Sequence, residues 1–350
     1  EIAEKLEKRL KWFASDKAQG TNPWWHPSPS DPATILIVER ATDALSPLVH
    51  EYTYQAMVHD VVGLDGDKYS YGSVNAKGEA AEKTVQLNDD DPLWPKLRHL
   101  HIADAIDTVL DDFNNFVQNN QAAKMAKSSK GDGVKDLRGV IKSMPQYNEL
   151  VAKYSMHIDL TKKCMSEYEK QFLEELSTEE QNLVMGEDPQ GKVPKNKREA
   201  ASKMLTDPRI ASSDKLRLLM IYYITQELVQ SDMDSLLEEA GLTGAERKAV
   251  DHLKFLGVLL KAPPVQPKGM QKLKASAMGA AKIFPFFAGG AKPKARKATD
   301  VSFDLSRYRP PLQFDMQDAV EGKLDQGEWP TVTKPADLAA ASTIPAGKPN

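Results

Sequence analysis

The sequence predicts a mainly α chain with a smaller α/β part, built around a long helical hairpin and a second helical subdomain. Three observations carry this. Two long apolar stripes at three- and four-residue steps, Leu97 to Val117 and Val134 to Leu176, flank the polar stretch Ser128 to Gly133, the pattern of two helices that turn back on each other. From Ser177 to Phe255 the stripes shorten, and most open on a capping residue. One run, Ile35 to Val38, is apolar throughout and mostly β-branched, as in a short strand buried on both faces.

Taken in order, residues 1–15 read as an amphipathic helix with Ile2, Leu6, Leu10 and Phe13 on one stripe, which needs a partner surface. The chain begins with Glu rather than Met and is expected to be a piece of something longer. Trp24 and Trp25 stand in a Pro-rich loop; they cover the edge of an adjoining domain or form a peptide-binding face. After the Ile35 strand, Glu39, Arg40, Asp43, Ser46 and Pro47 mark a turn. Tyr52, Ala56, Met57, Asp60 and Val61 then recur at helical spacing. Tyr69 to Val74 and Lys83 to Leu87 alternate around a Gly-containing connection, a hairpin signal. Asp89 to Asp91 before Pro92 suit the start of a helix, where an acidic cap satisfies free N–H groups.

That helix is expected to run from about Pro92 to Ala126. His99 and His101 fall two apart within it, so their rings diverge by about 200° and cannot share one metal ion. The second limb, Pro145 to Leu176, is on the order of 45 Å long. Pro145 removes a hydrogen bond at a cost of about 3 kcal/mol, yet the apolar steps stay in phase across it. The sequence fits a helix that starts or breaks at Pro145, or a continuous kinked helix with Pro145 as a hinge. Beyond it, Thr178, Ser213, Asp232 and Thr243 open short helices, the last with Glu246 in a capping box, and Gly186 and Gly241 close two of them. Lys261 to Lys297 holds nine basic residues and no acidic one. It reads as a flexible linker, or, through Lys292, Lys294, Arg296 and Lys297, as a contact with anionic lipid. Residues 300–333 return to ordered-looking sequence, and 334–350 read as a disordered tail.

Composition narrows the function. The net charge is −4 with 27% charged residues, which does not recommend nucleic acid as a partner. A single cysteine, Cys164, rules out a disulfide framework and fits a reducing compartment. No apolar run reaches the length of a transmembrane helix, so a cytosolic protein recruited to membranes peripherally is expected. No nucleophile elbow, phosphate loop or metal-ligand spacing is present, so no cofactor is expected and a binding scaffold is favoured over an enzyme. His50 and Glu51 are the best pair for acid-base work, but adjacent helical residues diverge by about 100°.

The order Glu39-Arg40, Asp43, Ser46-Pro47, His50-Glu51, Tyr54 to Met57, Asp60 and Tyr69 resembles the Sec/Munc (SM) family of syntaxin-binding proteins. Leu93-Trp94, Arg98-His99, Met144 to Tyr147, Lys153 to Ser155, Asp214 to Arg217 and Leu305 to Tyr308 continue the resemblance in the same order, nearest to the exocytic branch. It implies that both ends of the chain (1–50 and 300–333) belong to one parallel α/β sheet domain. Residues 51–176 would be the hairpin, 177–260 the second helical subdomain and 261–299 the basic linker. It further implies a non-enzymatic regulator of vesicle docking and fusion, with syntaxin-type and vesicle SNARE proteins as partners. Family positions that contact the vesicle SNARE fall on Tyr52, Thr53, Phe113 and Ile158; Tyr154 joins them by helical phase. A helical scaffold for an unrelated peptide and a hydrolase using His50 and Glu51 are the rival readings.

Overall fold

In a computed structural model the residues described are 1–13, 35–74, 80–119, 137–226, 228–258 and 303–330. Trp24, Trp25, the polar turn at Ser128 to Gly133 and the basic positions Lys292, Lys294, Arg296 and Lys297 lie outside them. The chain divides into two compact units, residues 1–44 with 309–350, and residues 45–308.

The first unit begins with helix α1 (Ile2–Phe13), whose Leu6 and Leu10 are half-buried while Ile2 is exposed. Residues 35–39 differ from expectation. They have no strand partner among the described residues, and Ile35 is 53% exposed and Ile37 42%. An apolar β-branched run sets the backbone preference, but a strand exists only where a neighbour supplies its hydrogen bonds. A 3₁₀ turn at Arg40–Asp43 follows.

In the second unit, helix α2 (Tyr54–Met57) continues as a π-helical segment, Val58–Gly63. Strands β1 (Lys68–Val74) and β2 (Ala80–Gln86) form an antiparallel hairpin with Tyr69 opposite Val85, as the alternation predicts. Tyr69 is buried, with the Lys163 ammonium 5.5 Å from its ring centre.

The single helix expected from Pro92 to Ala126 is two. Helix α3 (Trp94–Leu97) and helix α4 (Ile102–Asn119) are separated because residues 98–102 bond instead to residues 52–55. Tyr54 N donates to Leu100 O at 2.9 Å, Gln55 N to Arg98 O at 3.0 Å and Ile102 N to Tyr52 O at 2.8 Å. Asp91 accepts from Leu93 N at 2.9 Å in the bend before α3, but it does not cap the helix as expected: the N-cap position is Leu93, which has no side-chain cap.

Helix α5 (Leu137–Lys170) packs along α4 and runs unbroken through Pro145. Its 34 residues span about 51 Å. It ends earlier than the stripe suggests: Phe172 sits in the left-handed region at φ 55°, and helix α6 (Leu173–Met185) starts there. An L residue in that region carries a backbone cost, and the Arg209 guanidinium covers the Phe172 ring at 4.5 Å.

Helices α7 (Lys197–Thr206), α8 (Ser212–Thr225), α9 (Gln230–Glu239) and α10 (Gly244–Asp251) complete this unit. Thr243 and Glu246 form the expected capping box, and Gly186 and Gly241 have the positive φ that a helix stop favours. Leu176, Leu205, Leu218, Leu219 and Leu236 are fully buried where α6 to α9 meet.

Buried polar groups pin these pieces together. Glu180, on α6, is inaccessible to solvent, and its carboxylate accepts from His50 N at 3.0 Å and lies 2.9 Å from His50 Nδ1. Asp214, on α8, stands 3.9 Å from His50 Nε2, and burial pushes its carboxyl pKa up. Arg217 donates to Leu48 O at 2.8 Å and pairs with Asp60 at 2.9 Å. A second buried relay runs from Tyr54 Oη to His157 Nδ1 at 2.9 Å and from His157 Nε2 to Asp91 at 3.2 Å.

The chain comes back through residues 303–308, strapped to α6. Arg307 N and Tyr308 N both donate to Gln181 Oε1, at 3.1 and 2.8 Å, and the Arg307 guanidinium reaches Asn182 and the Glu187 carbonyl. In the first unit, helix α11 (Pro311–Val320) packs against the Arg40–Asp43 turn, with Met316 and Val320 exposed. Both ends of the chain thus lie in one unit, but among the described residues the only sheet is the β1–β2 hairpin, not a parallel one.

Candidate functional site

One residue of helical rotation sorts the side chains of α4. Ala105 and Val109 are buried in the core; the next residues, Ile106 and Leu110, look into an open groove; the next, Asp107 and Asp111, face solvent. Each step turns the helix by about 100°. Leu110 is 40% exposed, which is unusual for an apolar residue beside a packed helix pair.

The groove lies between α4 and α5 and has two adjoining parts that share Ile106 and Met165. The larger, about 390 Å³, extends to Tyr52, Tyr168 and the return segment at Phe303. The smaller, about 290 Å³, is walled by Leu110, Ile158, Thr161 and Lys162. Phe303 closes the far end by stacking on His101 at 3.5 Å between ring centres.

The floor is mostly apolar and aromatic, with the Asp304 carboxylate in the lining of the larger part. Burial pushes the Tyr168 phenol up to about 12 and the Tyr52 phenol well above its usual value, and it lowers the pKa of His101, favouring the neutral ring. Cys164 on α5, which lines neither part of the groove, is fully buried with its thiol pushed up to about 12 by burial. A reactive thiolate needs the opposite conditions.

Of the residues singled out from sequence, Ile158 is half-buried on the groove wall. Tyr52 reaches the groove but is only 2% exposed, its hydroxyl against Ser177 and its ring edge-on to Tyr168 at 5.5 Å. Thr53 is half-buried and bridges to His101. Phe113 and Tyr154 meet at 5.6 Å in an aromatic cluster with Phe116 and Tyr147 that clamps α4 to α5. Tyr154 is buried and belongs to that clamp. Ile106, Leu110 and Met165 were missed; the one-residue alternation from core to groove to solvent was the available signal.

His50 and Glu51 do not meet as an acid-base pair. His50 is 3% exposed and held by Glu180, whereas Glu51 is exposed and accepts from Thr53 N at 3.2 Å. Among the described residues no group of His, Cys, Asp and Glu stands together in a way that would hold a metal ion, and no helix is long and apolar enough to cross a membrane.

The second unit is thus a mainly helical body with an open apolar groove along a long helix pair. The chain belongs to the Sec1 family, whose model matches residues 1–349. It is 34% identical over 321 residues to the protein transport protein sec1 of Dictyostelium discoideum, covering 91% of this chain and 50% of that protein. It is 29% identical over 316 residues to the SNARE-interacting protein KEULE of Arabidopsis thaliana, covering 88% of this chain and 45% of KEULE. Among solved structures, the Unc18-syntaxin 1 complex from Monosiga brevicollis superposes with a TM-score of 0.68 at 25% identity, over 93% of this chain and 54% of that one. The chain therefore spans about half the length of the relatives it matches.

Proposed function

We propose that this chain is part of a non-enzymatic regulator of vesicle docking and membrane fusion in exocytosis, one that binds syntaxin-type and vesicle SNARE helices and templates their assembly. The observation that carries the proposal is the open apolar groove on α4 and α5 in a Sec1-family chain. The names of its relatives, a protein transport protein and a SNARE-interacting protein, support it.

The physics of a template is entropic. Two separate helices lose translational and rotational freedom when they pair, and a rigid surface that holds one in register reduces what the second must lose. An apolar floor between two braced helices suits an amphipathic helix, which presents its own stripe at three- and four-residue steps. On this reading Ile158, Tyr52 and Phe113 face or support the vesicle SNARE, Thr53 braces the floor, Tyr154 holds the clamp, and Pro145 is the hinge of α5. Residues 51–176 and 177–260 would act as the hairpin and its supporting subdomain. The exposed Ile35 run and α11 would complete a parallel α/β sheet domain with further chain. The protein would be cytoplasmic and recruited to membranes by its partners, with a contact to anionic lipid through Lys292, Lys294, Arg296 and Lys297.

The test is a fluorescence anisotropy titration of labelled, soluble syntaxin-type and vesicle SNARE segments with this chain. Both are expected to bind, and Ile158→Asp is expected to weaken the vesicle SNARE at least tenfold, since burying an unpaired carboxylate costs well over about 1.4 kcal/mol. Undiminished binding of the vesicle SNARE to a folded Ile158→Asp protein would refute the assignment.

A further inference from the structure

The two rims of the groove carry different charge. On the α4 side, Asp104, Asp107 and Asp111 are all exposed and follow one another at steps of three and four, so they stack on one face of the helix. They lie one residue beyond the groove residues Ala103, Ile106 and Leu110. Among the described residues no basic side chain pairs with any of the three, although Asp112 on the other flank is paired with Lys96. On the α5 side the rim is mixed: Lys162 stands 3.9 Å from Asp159, and Ser166 and Glu169 complete it.

We infer that the groove selects an amphipathic helix with an asymmetric polar border: Lys or Arg at three- and four-residue steps on the flank facing α4, and a neutral or mixed flank facing α5. The inference rests on the groove being the docking site proposed above and adds the chemistry of its partner. Three carboxylates along about 10 Å of α4 match basic residues spread over two turns of a facing helix. The apolar floor supplies the contact area, and the one-sided charge fixes which way the docked helix rolls, because the reversed roll exchanges three unpaired carboxylates for a rim whose Lys162 already faces Asp159. A partner with acids on that flank meets three like charges and is rejected.

Two labelled peptides with the same apolar stripe provide the test, one with Lys and one with Glu on the same flank, each titrated into the chain by anisotropy. The Lys-flanked peptide is expected to bind about tenfold or more tightly than the Glu-flanked one. The variant Asp104→Lys/Asp107→Lys/Asp111→Lys is expected to invert that order, and the preference is expected to shrink at about 1 M salt, where the screening length falls to about 3 Å. Circular dichroism of the variant checks that it folds. Equal affinities for the two peptides, or a preference unmoved by the triple reversal, would overturn the inference. The two ideas fail separately. Loss of binding in Ile158→Asp with no charge preference leaves the groove as a site and removes its selectivity. Binding untouched by Ile158→Asp removes the groove itself.

Discussion

Replacing Glu180 by Ala is expected to be among the most damaging single changes in the second unit. The Glu180 side chain is wholly buried, and its carboxylate accepts from the His50 backbone N–H at 3.0 Å and meets the ring nitrogen at 2.9 Å. Removing one partner of a buried pair costs about 3–5 kcal/mol, because the other is left desolvated without compensation. Part of this is the orphaned backbone N–H, worth about 1–3 kcal/mol by itself. His50→Ala should cost a similar amount by stranding the carboxylate. The double replacement His50→Ala/Glu180→Ala should cost at least about 2 kcal/mol less than the sum of the single truncations, since neither side chain is then left buried without its partner. Urea denaturation followed by circular dichroism measures all four proteins. A Glu180→Ala protein within about 0.5 kcal/mol of wild type, or strict additivity in the cycle, would refute the view that this pair pins residues 45–50 to α6 and α8.

Other outcomes follow from the same structure. Burial raises the Glu179 carboxyl to about 7, so the folded state holds its proton more tightly than the unfolded state, and stability contributed by this group falls as pH rises from about 4.5 through 7. Glu179→Gln should therefore stabilise the protein at pH values above 7, by about 1–2 kcal/mol after allowing for solvent contact, and flatten the pH profile below it; an unchanged urea midpoint at alkaline pH would count against this. Cys164, with its thiol pushed up to about 12, should react with a disulfide reagent only after denaturant is added; rapid labelling of the native protein would contradict its burial. Pro145→Ala should slow amide exchange in the turn around residue 145 and change SNARE affinity, as hydrogen exchange with a matched titration will read; no change in either removes the hinge.

What could be read in the sequence was the local part of the fold. Alternation gave the β1–β2 hairpin, the Thr243–Glu246 capping box gave α10, and the apolar stripes gave the helix pair. The other cap readings missed the true starts: α8 and α9 begin after Ala211 and Val229 with no side-chain cap, and Thr178 lies inside α6, because packing of the apolar faces rather than a capping bond sets those ends. Long-range bonds decided the rest. The α3–α4 break exists because residues 52–55 take up the backbone groups of residues 98–102, and no local signal opposes a helix there. Phe172 ends α5 while staying in phase with Met165 and Leu176, so the stripe concealed the left-handed residue. The Ile35 run was read as a buried strand from its apolarity, yet burial of a strand is a property of its neighbours. At the site, Ile158 was legible as an apolar position on a long helix, but Tyr154, four residues away on the same stripe, turns inward against Phe113. Only the crossing of α4 over α5 separates groove from clamp.

The central claim is that a foreign helix lies in the groove between α4 and α5, and site-specific photocrosslinking tests it most directly. A benzophenone side chain placed at Leu110, which is 40% exposed in the groove, is compared with one at Phe255, which is 76% exposed on the turn after α10. Crosslinking of a vesicle SNARE segment from position 110, competed by unlabelled segment and not seen from position 255, is the predicted result. Capture from position 255 with none from position 110 would contradict it.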